Sequence, residues 1–236
     1  MSLASAEGSR HPLLGIVLIV GTGFAFATMD TTIRHLSATL PVLVLLCARY
    51  SVQAAMMALW FVRPGGSGRS GFASQHPRFQ LARGLLLLGS SAMGFLGLAH
   101  LPVPEFTSIA LLTPVLVTLL SAWLLHEKVA PARWALVLGA FIGALIVVRP
   151  GSGLFGWVVL YPLASACCYA SFQVLTARLS GLEDPLTTHF WTGFVGTAVV
   201  VPALLLVHGA ELAALAAAMP ASHWALLLLV GTLGGT

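Results

Sequence analysis

Arg49 stands inside an apolar run, Leu40 to Val62, at a depth of roughly 13 Å if the run is helical. A charge that deep in a low-dielectric surrounding is costly unless it faces a cavity or a partner. On one reading it meets an anionic group of a substrate or works as a gate. On the other it is tied structurally to backbone carbonyls or to Asp30. Asp30 and Glu105 lie near the same ends of their own apolar runs. Either could attract a cationic solute or exchange protons, and either could simply be a solvated helix end. Glu105 would also be favourable in the first turn of its helix. Pro114 interrupts the run Val103 to Leu125 in its middle and removes one backbone N–H. The carbonyls freed beside Ser108 and Thr113 either line a cavity or belong to a packing kink. Tyr169 and Gln173 share a face at i, i+4 spacing and offer an aromatic wall and an amide to an organic solute. Tyr161, His189 and Trp191 are further candidates whose alternative role is anchoring at a membrane interface.

Enzyme chemistry has little support in these residues. No HExxH, GxSxG or P-loop pattern occurs, and no paired carboxylates stand at helical spacing. Cys47, Cys167 and Cys168 all fall in apolar runs without metal-site spacing, and read as small packing residues. The chain is expected to have no catalytic residues, no metal and no cofactor.

The elements that must position these residues follow from composition. Of 236 residues 58% are hydrophobic and only 8% charged, with a mean hydropathy of +0.96. A soluble domain carries about 25% charged residues because its surface faces water. The bilayer is the solvent that fits. A net charge of +4 does not point to nucleic acid, since the basic residues are scattered between apolar runs. Runs of about 20 apolar residues mark crossing helices: Pro12 to Ile33, Leu40 to Val62, Leu81 to Leu101, Val103 to Leu125, Ala132 to Val148, Leu154 to Ala177 and Pro185 to Val207, with another beginning near Ala221. Continuous runs of this length exclude barrel strands. The expected fold is an all-α polytopic membrane bundle of about eight transmembrane helices. The first run continues past the signal-like Ala25-Phe26-Ala27, which argues against cleavage there.

Loop charge sets the orientation. With the N-terminus inside, Arg10, Arg63, Arg69, Arg78, Arg83, Lys128, Arg133 and Arg178 are cytoplasmic, and only Arg34 and Arg149 lie opposite. This positive-inside bias places the N-terminus in the cytoplasm of a cell whose inner membrane the chain crosses several times.

The chain also describes one pattern twice. Ile33-Arg34-His35-Leu36-Ser37 resembles Thr176-Ala177-Arg178-Leu179-Ser180, and each is followed by a proline, Pro41 and Pro185, that opens the next helix. The run Leu85 to Ser90 resembles Leu226 to Thr232. A first unit over residues 1–151 with an odd number of crossings inverts a second unit over 152–236, which is expected to be incomplete, with about three helices. Inverted repeats place a substrate site near the midplane between the halves. Gly139 and Gly143 form a small-xxx-small pair suited to close helix contact, and leave room for a homodimer.

The segment Arg83 to Gly151 resembles the EamA-type family of the drug/metabolite transporter superfamily. Its marks are the helix with a central proline at Pro114, the stretch His126-Glu127-Lys128-Val129, and the glycine-bearing helix at Gly139 to Gly143. Ala48-Arg49-Tyr50 is similar to the arginine of the family's second helix. His126 stands where glycine is common. The resemblance implies a secondary transporter that moves a small organic metabolite or drug-like solute by alternating access, with a proton or another ion as coupling partner. Glu127 and Lys128 then form the family motif, read here as a structural clamp at the cytoplasmic face. Family members usually have ten helices, so a second reading is a cut-short remnant that does not transport.

Overall fold

The computed structural model describes residues 12–63, 71–124, 131–148 and 156–234. Among these residues every element is helical: α1 (Pro12–Leu36), α2 (Val42–Val62), α3 (Pro77–His100), α4 (Val103–Ala110), α5 (Thr113–Leu124), α6 (Pro131–Val148), α7 (Leu160–Leu179) behind a 3-10 turn, α8 (Pro185–His208), α9 (Leu212–Ala218) and α10 (Ala221–Leu233). Within the described residues, each apolar run of the sequence is predominantly helical. Five spans among the described residues are long and apolar enough to cross a bilayer, or six if α9 and α10 form one span bent by 109°. α1 and α6, at 25 and 18 residues, also have crossing length.

Local signals start and stop these helices. Pro41, Pro102 and Pro220 precede α2, α4 and α10, and Pro77, Pro131 and Pro185 lie in first turns, where a missing N–H costs nothing. The α7–α8 turn, residues 180–184, carries its own signals. Gly181 adopts φ +84°, a conformation a side chain would strain, and Asp184 then caps α8 by accepting from the N–H groups of Leu186 and Thr187 at 2.7 and 3.2 Å. At the far end of the bundle, Arg34 Nη1 donates to the last carbonyls of α3, Leu98 and Ala99, at 2.7 and 2.8 Å.

Packing follows a reciprocal scheme. α2 lies extensively against α8, and α3 against α7; α2 also packs on α10, α8 on α3, and α1 on α10. If α1, α2 and α3 are paired with α7, α8 and α10, every one of these contacts has its counterpart. Glycines make the close approaches. A Cβ at Gly193 would stand 2.8 Å from the backbone nitrogen of Ala54, and one at Gly196 would run into the Tyr50 ring. Gly231 of α10 rests on Val52 of α2 as Gly84 of α3 rests on Val195 of α8. An apolar core led by Ile33, Leu36, Leu45, Tyr50, Leu98 and Val230 fills the space where α1, α2, α3 and α10 converge. There apolar side chains leave both water and lipid for close contact with one another.

Several expectations change. The run Val103 to Leu125 holds as one crossing span over Val103–Leu124, but a turn at Leu111-Leu112 divides it into α4 and α5, and Pro114 is the second residue of α5. Pro114 has no N–H to bond the carbonyl of Ala110 four residues earlier, and its ring crowds that carbonyl, so the interruption falls in the turn just ahead of it. Arg83 is not in a loop. It lies within α3, 7% exposed. A Cβ at Gly139 or Gly143 would meet nothing within 4 Å, so this pair makes no close contact among the described residues. Short α9 was not foreseen; its Leu212 and Leu215 pack on the core. Glu127 and Lys128 lie outside the described residues.

Candidate solute cavity

A cavity of about 620 Å³ opens between α1, α2, α3, the α4–α5 break and α7. Its size falls in the range of small-molecule sites. Six of the residues singled out in the sequence line it: Asp30, Arg49, Thr113, Pro114, Tyr169 and Gln173. Ser108 does not; its hydroxyl turns back to the carbonyl of Pro104 at 2.7 Å, one turn earlier in α4. Glu105, in the first turn of α4, also stays off the cavity wall.

Arg49 is the most constrained of these groups. It is 7% exposed, and its Nε is buried without a hydrogen-bond partner. The guanidinium carbon lies 5.6 Å from the Tyr50 ring centroid and 5.8 Å from that of Phe95, within reach of a weak cation–π attraction. Gly234 leaves room beside it, since a Cβ there would stand 2.9 Å from Nε. Asp30 shares the cavity, but no ion pair within 4.0 Å joins the two.

The walls are apolar and aromatic, with Phe26 from α1, Phe95 from α3, Phe106 from α4 and Tyr169 from α7. Between them lies a hydroxyl seam that sequence reasoning passed over. Ser165 Oγ donates to the Ser90 carbonyl at 2.8 Å, and the Tyr50 and Ser91 hydroxyls are 2.9 Å apart. The signal for it was present as the small, polar cluster Gly89-Ser90-Ser91 with Gly94 in an apolar helix. Gly94 permits the close approach, because a Cβ there would already stand 3.2 Å from Ser165 Oγ.

The α4–α5 break borders the cavity through Ala110, Leu111, Thr113 and Pro114. Interrupted helices expose backbone groups at membrane depth only where protein or a cavity receives them, and they recur at substrate sites of secondary transporters. An all-α, multi-pass membrane protein with a solute-sized, mostly apolar cavity that holds a few polar groups beside an interrupted helix is the class that fold and site define.

Comparison with known proteins narrows that class. The EamA-like transporter family matches residues 13–149, and the chain belongs to it. Among curated relatives, a riboflavin transporter of Vibrio cholerae is 31% identical over 182 residues, covering 75% of this chain and 60% of that protein. The pseudopaline exporter CntI of Pseudomonas aeruginosa is 28% identical, covering 80% and 65%. An S-adenosylmethionine uptake transporter of Rickettsia prowazekii is 24% identical, covering 57% and 46%. The chain thus spans about three fifths of the length of the riboflavin transporters it matches. A crystal structure with a TM-score of 0.59 and 19% identity covers 92% of this chain and 76% of that one, and shares the fold.

Proposed function

We propose that the chain forms the solute-binding part of a secondary transporter that moves a small organic solute across the inner membrane by alternating access, with its N-terminus in the cytoplasm. The observation that carries the reading is Arg49, buried on the cavity wall with an unpartnered Nε. A buried donor without a partner is costly in a resting protein, and becomes favourable when a guest supplies the acceptor. Reciprocal helix packing supports the inverted repeat, with residues 1–151 as the first unit and 152–236 as part of the second. Phe26, Phe95, Phe106 and Tyr169 suit a planar apolar body, while Arg49 and Asp30 suit polar or charged groups at its edge. Solutes named for the relatives, riboflavin, S-adenosylmethionine and pseudopaline, all combine polar groups with an organic frame, so the same broad class is proposed here. A proton or another ion exchanging at Asp30 is the proposed coupling partner.

The test is a flux measurement with the full-length gene product in membrane vesicles. Riboflavin, S-adenosylmethionine and pseudopaline are supplied as labelled solutes, with wild type compared against Arg49→Ala. Flux of one solute that falls at least ten-fold in the variant supports the site. Arg49→Ala transporting like wild type removes Arg49 from it.

A further inference from the structure

A buried arginine stands one helical turn beyond one end of the cavity. Leu87 and Gln173 line the cavity, and one helical turn beyond them, away from it, stand Arg83 of α3 and Thr176 of α7. Arg83 Nε donates to Thr176 Oγ1 at 2.7 Å, and Nη1 donates to the Thr188 carbonyl at 2.9 Å and to Thr192 Oγ1. Its guanidinium carbon sits 4.5 Å from the Phe172 ring centroid. One planar fork therefore ties α3 to both α7 and α8, a geometry a lysine would not reproduce. Gln80 adds a second tie from α3, donating to Thr188 Oγ1 at 3.1 Å.

These contacts run between helices of the two proposed repeats. α3 belongs to the first, α7 and α8 to the second. If the repeats rock against each other, the fork is stretched or broken at this end. Farther out, Glu183 of the α7–α8 turn accepts from Ser74 Oγ and from the His76 N–H, each at 2.7 Å, so the loop before α3 is held to the same two helices.

We propose that Arg83 is the gating residue at the end of the cavity where α3 begins, and that its contacts with Thr176, Thr188 and Thr192 must part before a solute passes on that side. The proposal rests on the transporter reading for its purpose, but the closure it describes can be measured without any solute.

The experiment uses the full-length gene product in sealed vesicles of both orientations, with Cys47, Cys167 and Cys168 replaced by alanine. Gln173→Cys serves as the reporter and a membrane-impermeant maleimide as the probe. With Arg83 present, labelling from the side where α3 begins is expected to be slow. Arg83→Leu is expected to raise that rate at least ten-fold while labelling from the opposite side changes less than two-fold. Should Arg83→Leu fail to give a monodisperse protein, the double variant Thr176→Val, Thr192→Val keeps the arginine, removes two of its acceptors, and is expected to give a several-fold rise on the same side. No rise in a folded variant, or an equal rise on both sides, overturns the proposal. Sided labelling without flux of any solute would instead count against the transporter reading and leave the closure standing.

Discussion

Gly84 of α3 lies so near Val195 of α8 that a β-carbon at position 84 would stand 2.7 Å from the valine Cβ. The two helices meet backbone to side chain, and the space between them is that of a hydrogen. Gly84→Val is therefore expected to overpack the interface and destabilise the protein by about 1–3 kcal/mol. Gly139→Val, at a position where an added Cβ meets nothing within 4 Å, is the matched control. Thermal unfolding in detergent, followed by chromatography of the surviving protein, distinguishes them. Equal losses in both variants would contradict the packing described here.

Pro114 and the break ahead of it border the cavity, so the interruption itself should matter to flux. Pro114→Ala restores a backbone N–H and lets α4 and α5 approach one continuous helix. Solute flux by the full-length protein is expected to fall by an order of magnitude or more with expression unchanged. Unaltered flux would show that the break serves packing alone.

Glu183 provides the pH dependence. Burial pushes its carboxyl up, but the Ser74 hydroxyl, the backbone N–H groups of His76 and Gln75 and the His76 ring, whose Nδ1 lies 3.4 Å away, outweigh burial and hold it below the ordinary carboxylate value. A depressed native value means that the ionised form stabilises the fold. That contribution is complete above the unfolded value, near 4.5, and is lost as pH falls through the lower native value. Glu183→Gln should therefore melt below wild type at neutral pH, and the two curves should converge in acid. Parallel curves across that range would assign the bonds no ionic component.

Much of the fold was legible in the chain because lipid permits so few choices. An apolar run of crossing length must satisfy its backbone internally, so Leu40 to Val62 and Pro185 to Val207 read directly as α2 and α8. Arg49, Asp30, Tyr169 and Gln173 could be singled out for the same reason, since a polar group in such a run needs an explanation. The serine seam at Ser90, Ser91 and Ser165 could not, because a serine hydroxyl can bond within its own helix and gives no sign of facing another.

Arg83 marks the boundary between the two kinds of information. From the sequence it was one more basic residue at the edge of an apolar run, counted with the loops that set orientation. In the folded chain it is buried and bonded to α7 and α8, across more than ninety residues of sequence. Composition and run length determine that this protein is a bundle of membrane helices, because hydrophobic burial and backbone satisfaction act on each segment separately. They do not determine which helix lies against which, or where Val103 to Leu125 breaks. Those depend on glycines meeting side chains from distant helices and on donors finding acceptors far along the chain, and only the tertiary structure brings such groups together.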